Sequence, residues 1–130
     1  MSSTQVRVIV AGLFFVLIFL SGFVLSGSGK PYPMFLFTLH KLAALGAAVW
    51  MGIAVSKFNQ VTPLTPLQWV SIWITGGLFG LMIITGGVMS AVKTTSGMIM
   101  SIHRYSPYLT LASSAWMLYG LLVRSALGIG

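Results

Sequence analysis

Long apolar stretches alternate along the chain with short polar breaks. Four stretches, residues 8–26, 33–56, 67–92 and 97–123, stand out. Each is close to or beyond the ~20 residues that a helix needs to cross a ~30 Å hydrocarbon core. Barrel strands are a poor alternative, since they are only ~10 residues long and alternate with polar positions. The breaks carry turn chemistry: Gly27, Ser28, Gly29, Lys30 and Pro31; then Asn59, Gln60, Pro63 and Pro66; then Lys93 to Gly97. The pattern predicts an all-α fold, a four-transmembrane-helix bundle with residues 1–130 as a single membrane domain and no extramembrane part. Arg7 followed by an apolar run resembles a secretory signal, but the run exceeds a usual signal core, so a retained helix is expected.

Composition agrees and removes whole classes of chemistry. Of 130 residues 57% are hydrophobic and 5% charged, against about 25% charged in soluble domains. The chain has no Asp, Glu or Cys. That excludes carboxylate acid/base pairs, magnesium or calcium cages, acidic intramembrane proton carriers, Ser-His-Asp triads, disulfides, thiolate zinc sites and iron–sulfur clusters. The net charge of +7 is dispersed, with no basic stripe interleaved with aromatics. Nucleic acid is therefore not an expected partner, whereas a bilayer with anionic lipid is. Trp69, Trp73, Tyr32, Tyr105 and Tyr108 fall where interfacial anchors belong, and Trp50 and Trp116 fall deeper, where core packing is expected.

An internal repeat appears when the two histidines are aligned. Lys30, Thr38, Leu39, His40 and Lys41 match Lys93, Ser101, Ile102, His103 and Arg104 without a gap. Upstream, Ser21, Gly22 and Ser26 match Thr85, Gly86 and Ser90 with a one-residue slip. The chain thus reads as two repeated helical hairpins, and two crossings per hairpin imply parallel repeats about the membrane normal. The second and fourth helices then start on the same side, each with its histidine about seven residues in, or roughly 10 Å below the interface.

Two imidazoles at one depth point to a shared ligand rather than to two isolated packing histidines. Small residues follow each: Ala43, Ala44 and Ala47 after His40, and Ser106, Pro107 and Thr110 after His103. They are expected to leave room for something flat. Gly22 and Gly86 would let backbone approach a planar ring, or else serve helix packing, as Gly76 and Gly80 are expected to do. Pro107 withholds a donor from the His103 carbonyl. Lys30, Lys41, Lys93 and Arg104 lie on the histidine side. They suit an anionic cofactor such as a haem with its propionates, Lys41 and Arg104 best, while some snorkel to lipid phosphate.

With these residues the chain resembles the four-helix transmembrane cytochrome b superfamily, its small b-type haem members in particular. The resemblance spans nearly the whole chain. It implies haem b held between His40 and His103 of the second and fourth helices, with Gly22 and Gly86 against the rings. Larger members carry a second histidine fourteen residues further along each helix; here those positions are Ala54 and Met117. Met51 is read as packing rather than as a ligand. One haem per chain is therefore expected, and with it one-electron transfer. Quinol-linked or partner-linked oxidoreductase activity, with a quinone or a redox protein as partner, is the natural extension. The expected location is a prokaryotic cytoplasmic membrane, as a homo-oligomer or within a larger complex. Two alternatives stay open: a chlorophyll-type pigment-binding protein and a non-redox accessory subunit of a larger membrane complex.

Overall fold

The computed structural model describes residues 1–128 and is all-α, with no strand among the described residues. Its helices are α1 (Ser3–Ser28), α2 (Met34–Val61), α3 (Pro66–Ala91) and α4 (Gly97–Leu127). Each expected apolar stretch is a helix, but α1, α2 and α4 outrun their apolar text. α1 starts at its cap rather than at the first apolar residue: Ser2 Oγ accepts from the Gln5 N–H at 3.2 Å, and Gln5 Oε1 accepts from the Ser2 N–H at 2.8 Å. The same box opens α3 with Thr65 and Gln68, and Pro66 occupies its first turn. At the turn after α1, Gly29 has φ 66° and ψ 178°, a conformation essentially confined to glycine.

The chain forms two compact units, and they are the two hairpins; the first ends at Val61 and the second begins at Thr62. In the first, α1 packs on α2. Ala11, Phe15, Ile18, Ser21 and Leu25 of α1 are buried, as are Ala43, Ala47, Met51, Ala54 and Phe58 of α2. Both sets recur every three or four residues, as one helix face requires. Gly46 accommodates the Phe14 ring: a Cβ there would lie 2.9 Å from Phe14 Cε1. Trp50, half-buried, donates from Nε1 to the Arg7 carbonyl at 3.1 Å and so ties α2 to the start of α1.

In the second hairpin α3 packs on α4 through a more polar face. Thr75, Phe79 and Thr85 are buried on α3; Ser106, Thr110, Ser114, Met117, Leu118 and Leu121 are buried on α4. Thr75 Oγ1 and Ser113 Oγ lie 2.5 Å apart, the kind of side-chain bond that joins helices where hydrophobicity gives them no reason to associate. At the far end, Arg124 Nη1 donates to the Pro63 carbonyl at 3.0 Å and to Gln68 Oε1 at 2.7 Å. α4 continues through Pro107 as one element.

α1, α2 and α3 are each long and apolar enough to cross a membrane. α4 has the length, with 31 residues, but Ser101, His103, Arg104, Ser106 and Pro107 make its first third more polar than the others. Large apolar side chains such as Leu13, Leu20, Phe23, Phe35, Leu42 and Ile84 are exposed, an outer surface that lipid tolerates and water does not. Two expectations are corrected. Trp116 is 64% exposed rather than packed in a core. Gly76 and Gly80 face open space, since a Cβ on either would meet nothing within 4 Å; α3 turns Thr75 and Phe79 inward instead.

Candidate functional site

Each histidine is the seventh residue of its helix, His40 in α2 and His103 in α4, about 9–10 Å along the axis at 1.5 Å per residue. Both are half-buried. In the first hairpin, Nδ1 of His40 lies 2.9 Å from Ser21 Oγ of α1. The next residue of α1 is Gly22, where an added Cβ would stand 2.9 Å from Cε1, 3.4 Å from Nδ1 and 3.7 Å from Nε2 of the same ring. A hydroxyl thus grips one ring nitrogen while the neighbouring bare backbone lets the ring lie close to α1.

The second hairpin builds the same clamp from its own residues. Nδ1 of His103 lies 2.9 Å from Thr85 Oγ1 of α3. A Cβ on Gly86 would stand 3.0, 3.6 and 3.7 Å from Cε1, Nδ1 and Nε2 of His103. Distances of Nδ1, Cε1 and Nε2 therefore agree between the two clamps to within 0.2 Å. They do so although the intervals differ, 19 residues from Ser21 to His40 and 18 from Thr85 to His103. The repeat seen in the sequence is thus a repeat of local three-dimensional arrangement.

The glycines have a definite role that composition left ambiguous. The planar ring that each approaches is the imidazole itself; a Cβ at Gly22 would force that ring to shift, and one at Gly86 would crowd it by a few tenths of an ångström. The small residues after the histidines do something else. Ala43, Ala47, Ser106 and Thr110, expected to leave room for a flat ligand, are closed off at 6% exposure or less. Their offsets from the histidine place them on the packed faces of α2 and α4. Ala44 and Pro107 are half-buried.

The basic residues stay at the periphery. Lys30 and Lys93 lie in the exposed connections before α2 and α4. Lys41 and Arg104 are exposed beside their histidines. The Lys41 ammonium sits 4.3 Å above the Phe37 ring, and Phe37 stacks on Tyr32 at 5.5 Å, so this cation is drawn back along α2 toward the helix start.

Ser21 and Thr85, which in the sequence only align the repeat, are the residues that reach the histidines; the signal for them is a hydroxyl directly before the glycine in each half, masked by the one-residue slip. As for donors, the two histidines are the only residues of the His, Cys, Asp and Glu set in the chain. One imidazole per hairpin cannot complete the four- to six-membered shell of a bare transition metal, and among the described residues no group of three or more such side chains could hold a metal ion. The chain matches no protein-family model, no curated protein and no solved structure.

Proposed function

We propose that this chain is an integral membrane b-type cytochrome in which His40 and His103 would hold one haem b. The observation that carries the reading is the duplicated clamp: one imidazole per hairpin, held by a hydroxyl on Nδ1 and seated against a glycine. Metal-ligating histidines nearly always have the second ring nitrogen held in this way, because it fixes ring orientation. A packing histidine has no need of an identical arrangement built twice. The donor count points the same way, since it suits a metal that arrives inside a macrocycle.

All four helices cross the membrane in this reading, which places both histidines at one depth on one side. When bound, the haem iron would supply a one-electron redox couple, with His40 and His103 as the residues that hold it. The protein's part is to orient the rings and to keep them in apolar surroundings. Lys41 and Arg104, with Lys30 and Lys93, supply positive charge at the membrane edge, where haem propionates or lipid phosphates would lie. A quinol or a redox protein is the exchange partner, and a prokaryotic cytoplasmic membrane is the setting.

Optical spectra of the protein purified from haem-replete cells test this. Dithionite reduction is expected to give the sharp bands of low-spin haem b, and His40→Ala and His103→Ala are each expected to lose them. A colourless wild-type protein would end the reading, and a chlorophyll-like spectrum would replace it with pigment binding.

A further inference from the structure

We propose that Ser21 and Thr85 are positioning residues that lock the ring proton of each histidine on Nδ1, so that Nε2 carries the lone pair offered to a ligand. The step from there to haem rests on the function proposed above; the proton assignment does not.

The assignment follows from counting hydrogens. A hydroxyl has one proton to donate and lone pairs that accept. Ser21 Oγ lies 2.7 Å from the Leu17 carbonyl and 3.2 Å from the Ile18 carbonyl. Thr85 Oγ1 lies 2.8 Å from the Leu81 carbonyl and 3.2 Å from the Met82 carbonyl. Carbonyl oxygens only accept, so approaches this close need the hydroxyl proton between the two oxygens. Without it, lone pairs would face each other in a medium of low dielectric. The one proton is therefore committed to the helix's own backbone in both hairpins. The remaining contact, 2.9 Å to Nδ1 of the histidine, can be made only if the ring is the donor. A neutral imidazole with its proton on Nδ1 has its lone pair on Nε2.

The back-bond from hydroxyl to preceding carbonyl, ordinarily a minor feature of serine and threonine in helices, here sets the protonation of a residue on another helix. Serine in one hairpin and threonine in the other make the point that only the hydroxyl matters.

Because the chain has just two histidines, nitrogen NMR of the haem-free protein labelled at histidine resolves both rings. The measurement is made about two units above the ordinary histidine pKa of ~6.5, where the ring is neutral. The wild type is expected to show both protons on Nδ1. Ser21→Ala should release His40 to a mixture of tautomers and leave His103 unchanged, and Thr85→Val should do the reverse. The crossed variants Ser21→Thr and Thr85→Ser should keep the wild-type pattern. Haemin affinity should fall by about 10–100-fold in Ser21→Ala and Thr85→Val and stay near wild type in the crossed variants. Protons on Nε2 in the wild type would overturn the inference whatever the variants do, as would tautomers unmoved by loss of either hydroxyl. A protein with both protons on Nδ1 that never takes up haemin would uphold the lock and end the cytochrome reading.

Discussion

Adding one methyl group at Gly22 is the sharpest perturbation of the clamp. The new Cβ would lie 2.9 Å from Cε1 of His40, whereas carbon atoms rest about 3.5–4.0 Å apart. The ring or the helix must therefore retreat by roughly 0.6 Å or more. Because His40 sits 2.9 Å from Ser21 Oγ, a retreat of that size stretches the bond to about 3.5 Å, the edge of hydrogen-bonding range. Overpacking of this kind costs ~1–3 kcal/mol, and the lost bond about 1 kcal/mol. Replacing helical glycine by alanine returns ~0.5–1 kcal/mol. Gly22→Ala is thus expected to be less stable than wild type by about 1–3.5 kcal/mol. Gly12 on the same helix is the internal control: it is exposed, and a Cβ there meets nothing within 4 Å. Gly12→Ala should gain up to ~1 kcal/mol from propensity alone. Thermal unfolding of both variants in one mild detergent reads the difference, and haemin titration reads the displaced ring. Equal behaviour of Gly22→Ala and Gly12→Ala would refute the reasoning.

Gly86→Ala should mirror Gly22→Ala in the second hairpin, because its Cβ would stand 3.0 Å from Cε1 of His103; a clear effect at one glycine only would show that the two clamps are not equivalent. Trp50→Phe keeps an aromatic ring, though a smaller one, but drops the bond to the Arg7 carbonyl, and should lower stability by at least ~0.5–1.5 kcal/mol in the same unfolding assay. Thr75→Val removes the hydroxyl that meets Ser113, and a loss of about 0.6–1.7 kcal/mol is expected for an interhelical bond in apolar surroundings. Gly29→Ala forces a side chain into the φ 66°, ψ 178° turn and should cost ~1–3 kcal/mol, measurable as a lowered unfolding midpoint.

Much of the fold was legible because hydrophobic runs and turn residues report helix existence directly. Helix ends were less so: α1 begins five residues before its apolar run because the Ser2–Gln5 box and not hydropathy sets the start. The histidines and the two glycines could be found from the repeat. What the glycines face could not, since a bare backbone serves helix packing, cofactor and side chain alike, and only the folded hairpins set His40 and His103 against them. Gly76 and Gly80 illustrate the same limit in reverse, with the spacing of a packing motif and open space around both. Ser21 and Thr85 were visible as letters, but their reach depends on how α1 meets α2 and α3 meets α4. A slip of one residue between the halves disguised it.

The most direct test is a titration of haemin into the haem-free protein, followed by electron paramagnetic resonance of the ferric product. If His40 and His103 are the two axial ligands, the titration saturates at one haem per chain with a low-spin bis-imidazole signal, and removing either histidine leaves a high-spin or unbound haem. Saturation at no haem, or a signal that survives the loss of one histidine unchanged, would contradict it.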